Sequence, residues 1–224
     1  MSPTHSLPQP LRHILFDLDG TLVDSVRITC AIIDSMLAAR GLAHRADPAL
    51  ARAMDAVGGA AMIATVMGPH CRDVDAELAE FRARHALAPT PPDLAFPGVA
   101  SALGRLAAAG IGLGICSNKP QPLCDRILAD LGLAGAFACI IGSRPGRPRK
   151  PDPDAAWQAL AIMRADPATS LYVGDSSVDV ATARAAGLPI ALVGWGYGLA
   201  AARAAAPQAP VLHDLAVLAD HAAG

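Results

Sequence analysis

The sequence predicts an α/β protein, a parallel sheet wrapped by helices, with an all-helical segment inserted after the first strand. Three observations carry that expectation. Short apolar runs that stop at polar residues recur along the chain, which is how strands buried on both faces read. Amphipathic stretches closed by glycine lie between them, and strand alternating with helix implies parallel pairing. One long segment, 25–92, shows helical spacing and no strand pattern.

The first apolar run is His13–Phe16, followed by Asp17. After it, Val26, Cys30, Ile33 and Leu37 recur at helical spacing before Gly41, and Val74, Leu78 and Phe81 do so before the prolines of 89–92. The expected division is a disordered tail over 1–10, a sheet domain over 11–22 and 95–224, and a helical insertion over 23–94. Helix resumes over Pro97–Ala109, closed by Gly110, and a strand over Ile111–Cys116 ends at Ser117. Gln121–Leu131 reads as a helix closed by Gly132, Cys139–Ile141 and Leu171–Val173 as strands, and Ser177–Ala186 as a helix closed by Gly187. Ile190–Val193 and Pro210–His213 are the last expected strands. An insertion after the first strand can cover the carboxyl edge of the sheet, where open α/β folds place their ligands.

Bulk properties narrow the function classes. A chain of 224 residues that is 53% hydrophobic and 17% charged has enough apolar surface for a core, and its many alanines favour helix. The net charge of −2 gives no global attraction to nucleic acid or an anionic membrane, so a small solute is the expected partner, met by a monomer or homodimer. Cys30, Cys71, Cys116, Cys124 and Cys139 are odd in number and scattered, which suits reduced thiols and a cytoplasmic setting. The first ten residues lack the apolar stretch of a signal peptide. The uncharged run 185–202 is broken by Gly187, Pro189, Gly194, Gly196 and Gly198, so it reads as strand and loop, not as a membrane span.

The reactive residues fall at strand ends. Asp17 and Asp19 follow the first strand, Ser117 and Asn118 the second, Lys150 the third, and Asp175 and Asp179 the fourth. A parallel sheet gathers all these ends along one edge. Carboxylates drawn together repel one another, so a cation is implied, and oxygen ligands without histidine or cysteine select a hard ion such as Mg²⁺. Lys150, the Ser117 hydroxyl and the Asn118 amide would then supply donors for phosphate oxygens, which points to phosphoryl transfer. On an extended segment Asp17 and Asp19 face the same way, and Gly20 and Thr21 let the chain turn off into the insertion.

Four segments, in order, carry a family resemblance. Phe16-Asp17-Leu18-Asp19-Gly20-Thr21-Leu22-Val23-Asp24-Ser25, Ser117-Asn118-Lys119-Pro120, Lys150-Pro151-Asp152-Pro153 and Gly174-Asp175-Ser176-Ser177-Val178-Asp179 resemble the signatures of the haloacid dehalogenase-like hydrolases. Within that family the chain is most similar to phosphoglycolate phosphatases. The Ser-Asn-Lys-Pro form, Leu131-Gly132-Leu133 before Phe137, and Gly194-Trp195-Gly196-Tyr197-Gly198 carry the likeness. Arg52 and Val57-Gly58 resemble the family's insertion motif, with Ala60 where a second glycine is usual.

The resemblance implies a Rossmann-like core with a small helical cap. It also implies magnesium-dependent hydrolysis of a small phosphate monoester, such as 2-phosphoglycolate, through an aspartyl-phosphate. By it, Asp17 is the nucleophile and Asp19 the general acid that later activates water. Asp17 and Asp175 bind Mg²⁺ through carboxylates and Asp19 through its backbone carbonyl. Ser117, Asn118 and Lys150 hold the phosphate, with Thr21 and Asp179 in support.

Other readings compete at single positions. Asp17 and Asp19 suit strand-end turns, Asp175 a helix N-cap and Asp179 a first helical turn. Arg144, Arg147 and Arg149 read as a solvated basic loop, Lys119 as an exposed helix-entry residue or a minor phosphate ligand, and Cys116 as core. Trp195 and Tyr197 either wall the site or pack on the sheet. On the same fold the alternatives are a sugar-phosphate phosphatase, a phosphomutase, a nucleotidase or a pyrophosphatase. Less favoured are an aspartate-phosphorylated signalling module, whose lysine and acids come in another order, and a silent binding protein, which would be expected to lack a catalytic acid.

Overall fold

The computed structural model describes residues 7–55 and 57–223, so the first six positions of the expected tail lie outside the described residues. Among the described residues the strands are β1 (His13–Phe16), β2 (Gly112–Pro120), β3 (Cys139–Ser143), β4 (Ser170–Gly174), β5 (Ile190–Val193) and β6 (Val211–Leu212). They form one six-stranded sheet in the order β3-β2-β1-β4-β5-β6, every pair parallel. The chain fills one side of β1 first and then the other, so the order reverses between β1 and β4. That is the point where a crevice opens at the carboxyl ends of such a sheet.

The apolar runs exist because both faces of the sheet are covered. Leu15, Cys116, Ile141 and Tyr172 pack beneath helices whose Ala155, Ala156, Ala159 and Ala183 permit close approach. Ile14, Phe16, Leu113, Ile115, Leu171 and Val173 alternate with them toward the opposite face and are buried as well. β1 and β5 coincide with the runs that predict them. β2 does not stop at Cys116: it continues through Ser117 and Asn118 to Pro120, which pairs with Ser143 after a register shift. Apolarity reports burial, whereas backbone pairing persists into the polar end of the strand.

Helices follow in chain order. Residues Asp24–Leu94 form a separate unit. It contains α1 (Val26–Ala38), α2 (Pro48–Met54), α3 (Gly59–Met67) and α4 (Val74–Leu87). The sheet unit carries α5 (Val99–Ala108), α6 (Gln121–Asp130), α7 (Asp154–Met163), α8 (Ser177–Ala186), α9 (Leu199–Ala205) and α10 (Ala216–Ala223). α8 ends at Gly187 with φ 73°, the left-handed cap expected there. The chain leaves the sheet unit and returns to it side by side: Val23 bridges Ala95 in antiparallel sense, and the Phe96 N–H donates to the Leu22 carbonyl at 3.0 Å. At the N-terminal end, the Pro8 carbonyl oxygen lies 2.9 Å from His221 Nε2 on α10. Among the described residues no helix is long and apolar enough to cross a membrane.

In the helical unit, α1 buries Val26, Ile33 and Leu37 of the expected stripe, leaves Cys30 half-buried, and also buries Ile28, Ile32 and Met36. α4 departs from expectation. Of Val74, Leu78 and Phe81 only Phe81 is fully buried, and Glu77 and His85 share its face. Glu77 is tolerated there because Arg40 reaches it from the end of α1, with Nη1 donating to Oε1 at 2.6 Å and Nη2 also meeting Glu80 at 3.1 Å. Hydrogen bonding from that guanidinium holds Glu77 below the usual carboxylate range, against the opposing effect of burial.

A carboxylate depressed in the folded state adds stability above its unfolded pKa of roughly 4.3, and that stability is lost as pH falls through the folded value. Glu77→Gln is therefore expected to cost about 2 kcal/mol at pH 7, in urea unfolding followed by circular dichroism. The difference from wild type should close as the pH drops below roughly 4.

Candidate active site

The end of β1 is tied to the end of β4, with the Asp17 N–H donating to the Val173 carbonyl at 2.9 Å. In register, this sets Asp17 and Asp175 astride the reversal of strand order. One carboxylate oxygen from each of Asp17, Asp175 and Asp179 can be chosen so that all three lie within 4.8 Å of one another, and all three residues are buried.

Lys150 balances part of this charge. Its ammonium is 2.8 Å from Asp17 Oδ1 and 2.7 Å from Asp179 Oδ1, and it donates to the Tyr172 hydroxyl at 3.3 Å. Each of its three protons thus has an acceptor. The Tyr172 hydroxyl in turn donates to the Cys116 carbonyl at 3.1 Å. Burial works against the lysine charge, but Asp17 and Asp179 outweigh it and hold the ammonium protonated well beyond the ordinary lysine range. Burial also resists ionisation of Asp179, yet Lys150 and Ser176 hold it below the usual carboxylate range.

The other oxygen of Asp179 accepts from the Ser176 hydroxyl at 2.7 Å, the Ser176 N–H at 3.0 Å and the Asp175 N–H at 3.2 Å. Ser176, not Asp175, is the N-cap of α8, in a reciprocal capping box with Asp179. Both oxygens of Asp179 are therefore committed to the protein, which makes it a brace for Lys150 and for the turn that carries Asp175.

Asp175 sits in a cradle of backbone. Thr21 Oγ1 donates to its Oδ1 at 3.4 Å and the Gly198 N–H to its Oδ2 at 3.1 Å. A Cβ on Gly196 would lie 2.1 Å from the Asp175 Cβ, and one on Gly20, whose φ is 75°, would lie 2.7 Å from Oδ2. The glycine run after β5 thus has a steric cause that its pattern alone did not give. Trp195 and Tyr197 project from that run to pack against Phe96, and Trp195 Nε1 donates to the Thr21 carbonyl at 3.2 Å.

Ser117 is buried on β2, and its hydroxyl accepts from the Lys119 N–H at 3.2 Å. The Asn118 side chain faces the Lys150 segment: Nδ2 donates to the Lys150 carbonyl at 3.0 Å and Oδ1 accepts from the Lys150 N–H at 2.8 Å. Arg144, Arg147 and Arg149 are exposed, as a solvated basic loop would be; Arg149 donates to the Asn118 carbonyl at 3.0 Å and Arg147 pairs with Asp154 at 2.7 Å on that surface. Lys119 differs most from expectation. It is not exposed; its side chain is 8% accessible and its ammonium contacts both oxygens of Asp19, at 2.8 and 3.1 Å. Cys116 is core, and burial pushes its thiol up to about 11.

The donor set suits a hard divalent ion. The grouped side chains of Asp17, Asp175 and Asp179 offer only carboxylate oxygens, and Asp17 is pushed up to about 8, by burial first and then by Asp179 and Asp175, even with Lys150 opposing. A cation at that point would supply the positive charge the cluster lacks.

Residues 14–193 match the haloacid dehalogenase-like hydrolases. The chain belongs to this family. It is 36% identical over 193 residues to a phosphoglycolate phosphatase of Rhodospirillum rubrum, covering 82% of this chain and 80% of that one. It is 35% identical to an N-acetylmuramic acid 6-phosphate phosphatase of Pseudomonas putida, covering 84% of each. A haloacid dehalogenase-like hydrolase structure from Streptococcus pneumoniae superposes with a TM-score of 0.74 at 22% identity, over 95% of this chain and 99% of the other, which supports the fold. The four segments singled out in the sequence all lie within the matched region, so family membership and the convergence of charges at one sheet edge rest on the same residues.

Removing one partner of the buried charge cluster should be costly. Asp179→Ala is expected to lower stability by about 3–5 kcal/mol, and Gly196→Ala by about 1–3 kcal/mol through overpacking on Asp175, both read by denaturant unfolding.

Proposed function

We propose that the protein is a magnesium-dependent phosphatase that hydrolyses a small phosphate monoester, 2-phosphoglycolate first among the candidates, by way of a phosphoryl group carried on Asp17. The observation that carries this reading is the buried carboxylate of Asp17 beside the Lys150 ammonium, grouped with Asp175 and Asp179 where the strand order reverses.

The carboxylates of Asp17 and Asp175 and the backbone carbonyl of Asp19 would hold the ion, which when bound offsets the negative charge of an incoming phosphate. An oxygen of Asp17 forms the bond to phosphorus as the ester oxygen leaves with a proton from Asp19. Asp19 then takes a proton from the water that attacks the aspartyl-phosphate, and Asp17 is restored. Lys150, fixed between Asp17 and Asp179, meets the charge on the phosphoryl oxygens, with the Ser117 hydroxyl as a further donor. Asn118 serves by holding the Lys150 segment, since its side-chain amide is already paired with that backbone. Thr21 and Asp179 keep Asp175 and Lys150 in place.

The Rhodospirillum rubrum relative favours 2-phosphoglycolate. The Pseudomonas putida relative, nearly as similar, favours a second reading in which the ester is a sugar phosphate. A hydrolysis panel with both substrate types, nucleoside monophosphates and pyrophosphate discriminates between them. Activity should require Mg²⁺, vanish on chelation, and fall at least roughly a thousandfold in Asp17→Asn, with the circular dichroism spectrum unchanged. Undiminished turnover in that variant would remove the mechanism, and a clear preference for sugar phosphates would replace the substrate.

A further inference from the structure

We propose that Lys119 is a positioning residue for Asp19, a role that rests on the phosphatase reading above. The two side chains are largely enclosed, 8% and 14% accessible, and one ammonium reaches both carboxylate oxygens, at 2.8 and 3.1 Å. Ion pairs on open surface contribute little, but a pair shielded in this way restricts both side chains.

The lysine starts from a fixed backbone. Its N–H is held by the Ser117 hydroxyl, its carbonyl accepts from Cys124 Sγ at 3.5 Å, and a Cβ on Gly142 would come within 2.8 Å of that carbonyl. Asp19 lies on the turn beyond β1, bridged to Val23 and just before Gly20 at φ 75°. The sheet edge thus provides a separate lysine for each of the two aspartates directly after β1: Lys150 for Asp17 and Lys119 for Asp19.

In the proposed reaction a bond forms between Asp17 and phosphorus, the bond from phosphorus to the ester oxygen breaks, and the proton of Asp19 passes to that oxygen. Such a transfer needs the carboxyl within about 2.6–3.2 Å of the oxygen, so a side chain held in one orientation is worth more than one that rotates. Lys119 supplies that restraint, and its ammonium faces the carboxylate left behind when the proton goes.

Leaving groups provide the test. p-Nitrophenolate leaves readily without a proton, whereas an alkoxide does not. Lys119→Met should lower kcat/KM by about 10- to 100-fold for 2-phosphoglycolate and equally for a phosphate monoester whose alkyl group bears no charge, but by less than about threefold for p-nitrophenyl phosphate. Lys119→Arg, which also reaches both oxygens, should restore most of the alkyl-ester activity. Equal losses on aryl and alkyl esters, in either Lys119→Met or Lys119→Gln, would mean a structural role and overturn the proposal. A loss confined to 2-phosphoglycolate would mean that Lys119 reads the substrate carboxylate, and would overturn it too. A wild-type protein inactive on every ester, or an active Asp17→Asn, removes the phosphatase reading and this proposal together. An unchanged alkyl-to-aryl ratio in an enzyme that does need Asp17 removes this proposal alone.

Discussion

A lysine enclosed between two carboxylates is a costly arrangement unless every proton and lone pair finds a partner. Lys150 meets that condition with Asp17, Asp179 and the Tyr172 hydroxyl, and much of the sheet edge is organised around it. Tyr172 rises from β4 and is tied to the β2 backbone at Cys116. Asp179 starts α8 and braces the turn that carries Asp175. Asn118 clamps the segment on which Lys150 stands. Strands β1, β2 and β4 are thereby cross-linked at their carboxyl ends by polar contacts, below which the apolar core takes over.

That arrangement leaves an imbalance. Three buried carboxylates face one ammonium at the cluster, and the excess falls on Asp17, which burial and its acidic neighbours press toward the neutral form. For Asp17 to attack as a carboxylate, as proposed, it has to be ionised, and a bound cation would supply the positive charge that the side chains of the cluster lack. The residues that tie the strand ends together are therefore the same ones to which the proposed chemistry is assigned. The two curated relatives, alike in identity but named for different substrates, fit a division in which this edge supplies the chemistry and the choice of ester is made by other residues.

Much of this was legible in the sequence, for physical reasons that can be named. His13–Phe16 and Ile190–Val193 read as strands because both sheet faces are covered, which makes every position after His13 apolar. The acids and Lys150 read as a site because parallel strands deliver their ends to one edge. What escaped was polar pairing across long stretches of sequence. Asn118 reaches Lys150, Lys119 reaches Asp19 and Arg40 reaches Glu77, and no local period records such contacts. The buried face of α4 was misjudged for the same reason, since Glu77 is admitted by a guanidinium from another helix. Gly196 stood in a recognisable pattern, but its cause, the Asp175 side chain against its α-carbon, exists only in three dimensions.

The doorway of the insertion has a consequence of its own. The outgoing chain at Val23 and the incoming chain at Ala95 are neighbours in a short antiparallel bridge, so the sheet unit contributes a narrow, self-paired neck. Whatever is spliced onto that neck can grow, shrink or be exchanged without any strand changing register, because the two ends it must satisfy are already side by side. A catalytic edge built this way can be kept constant while lineages, or protein engineers, graft different modules onto the same stem.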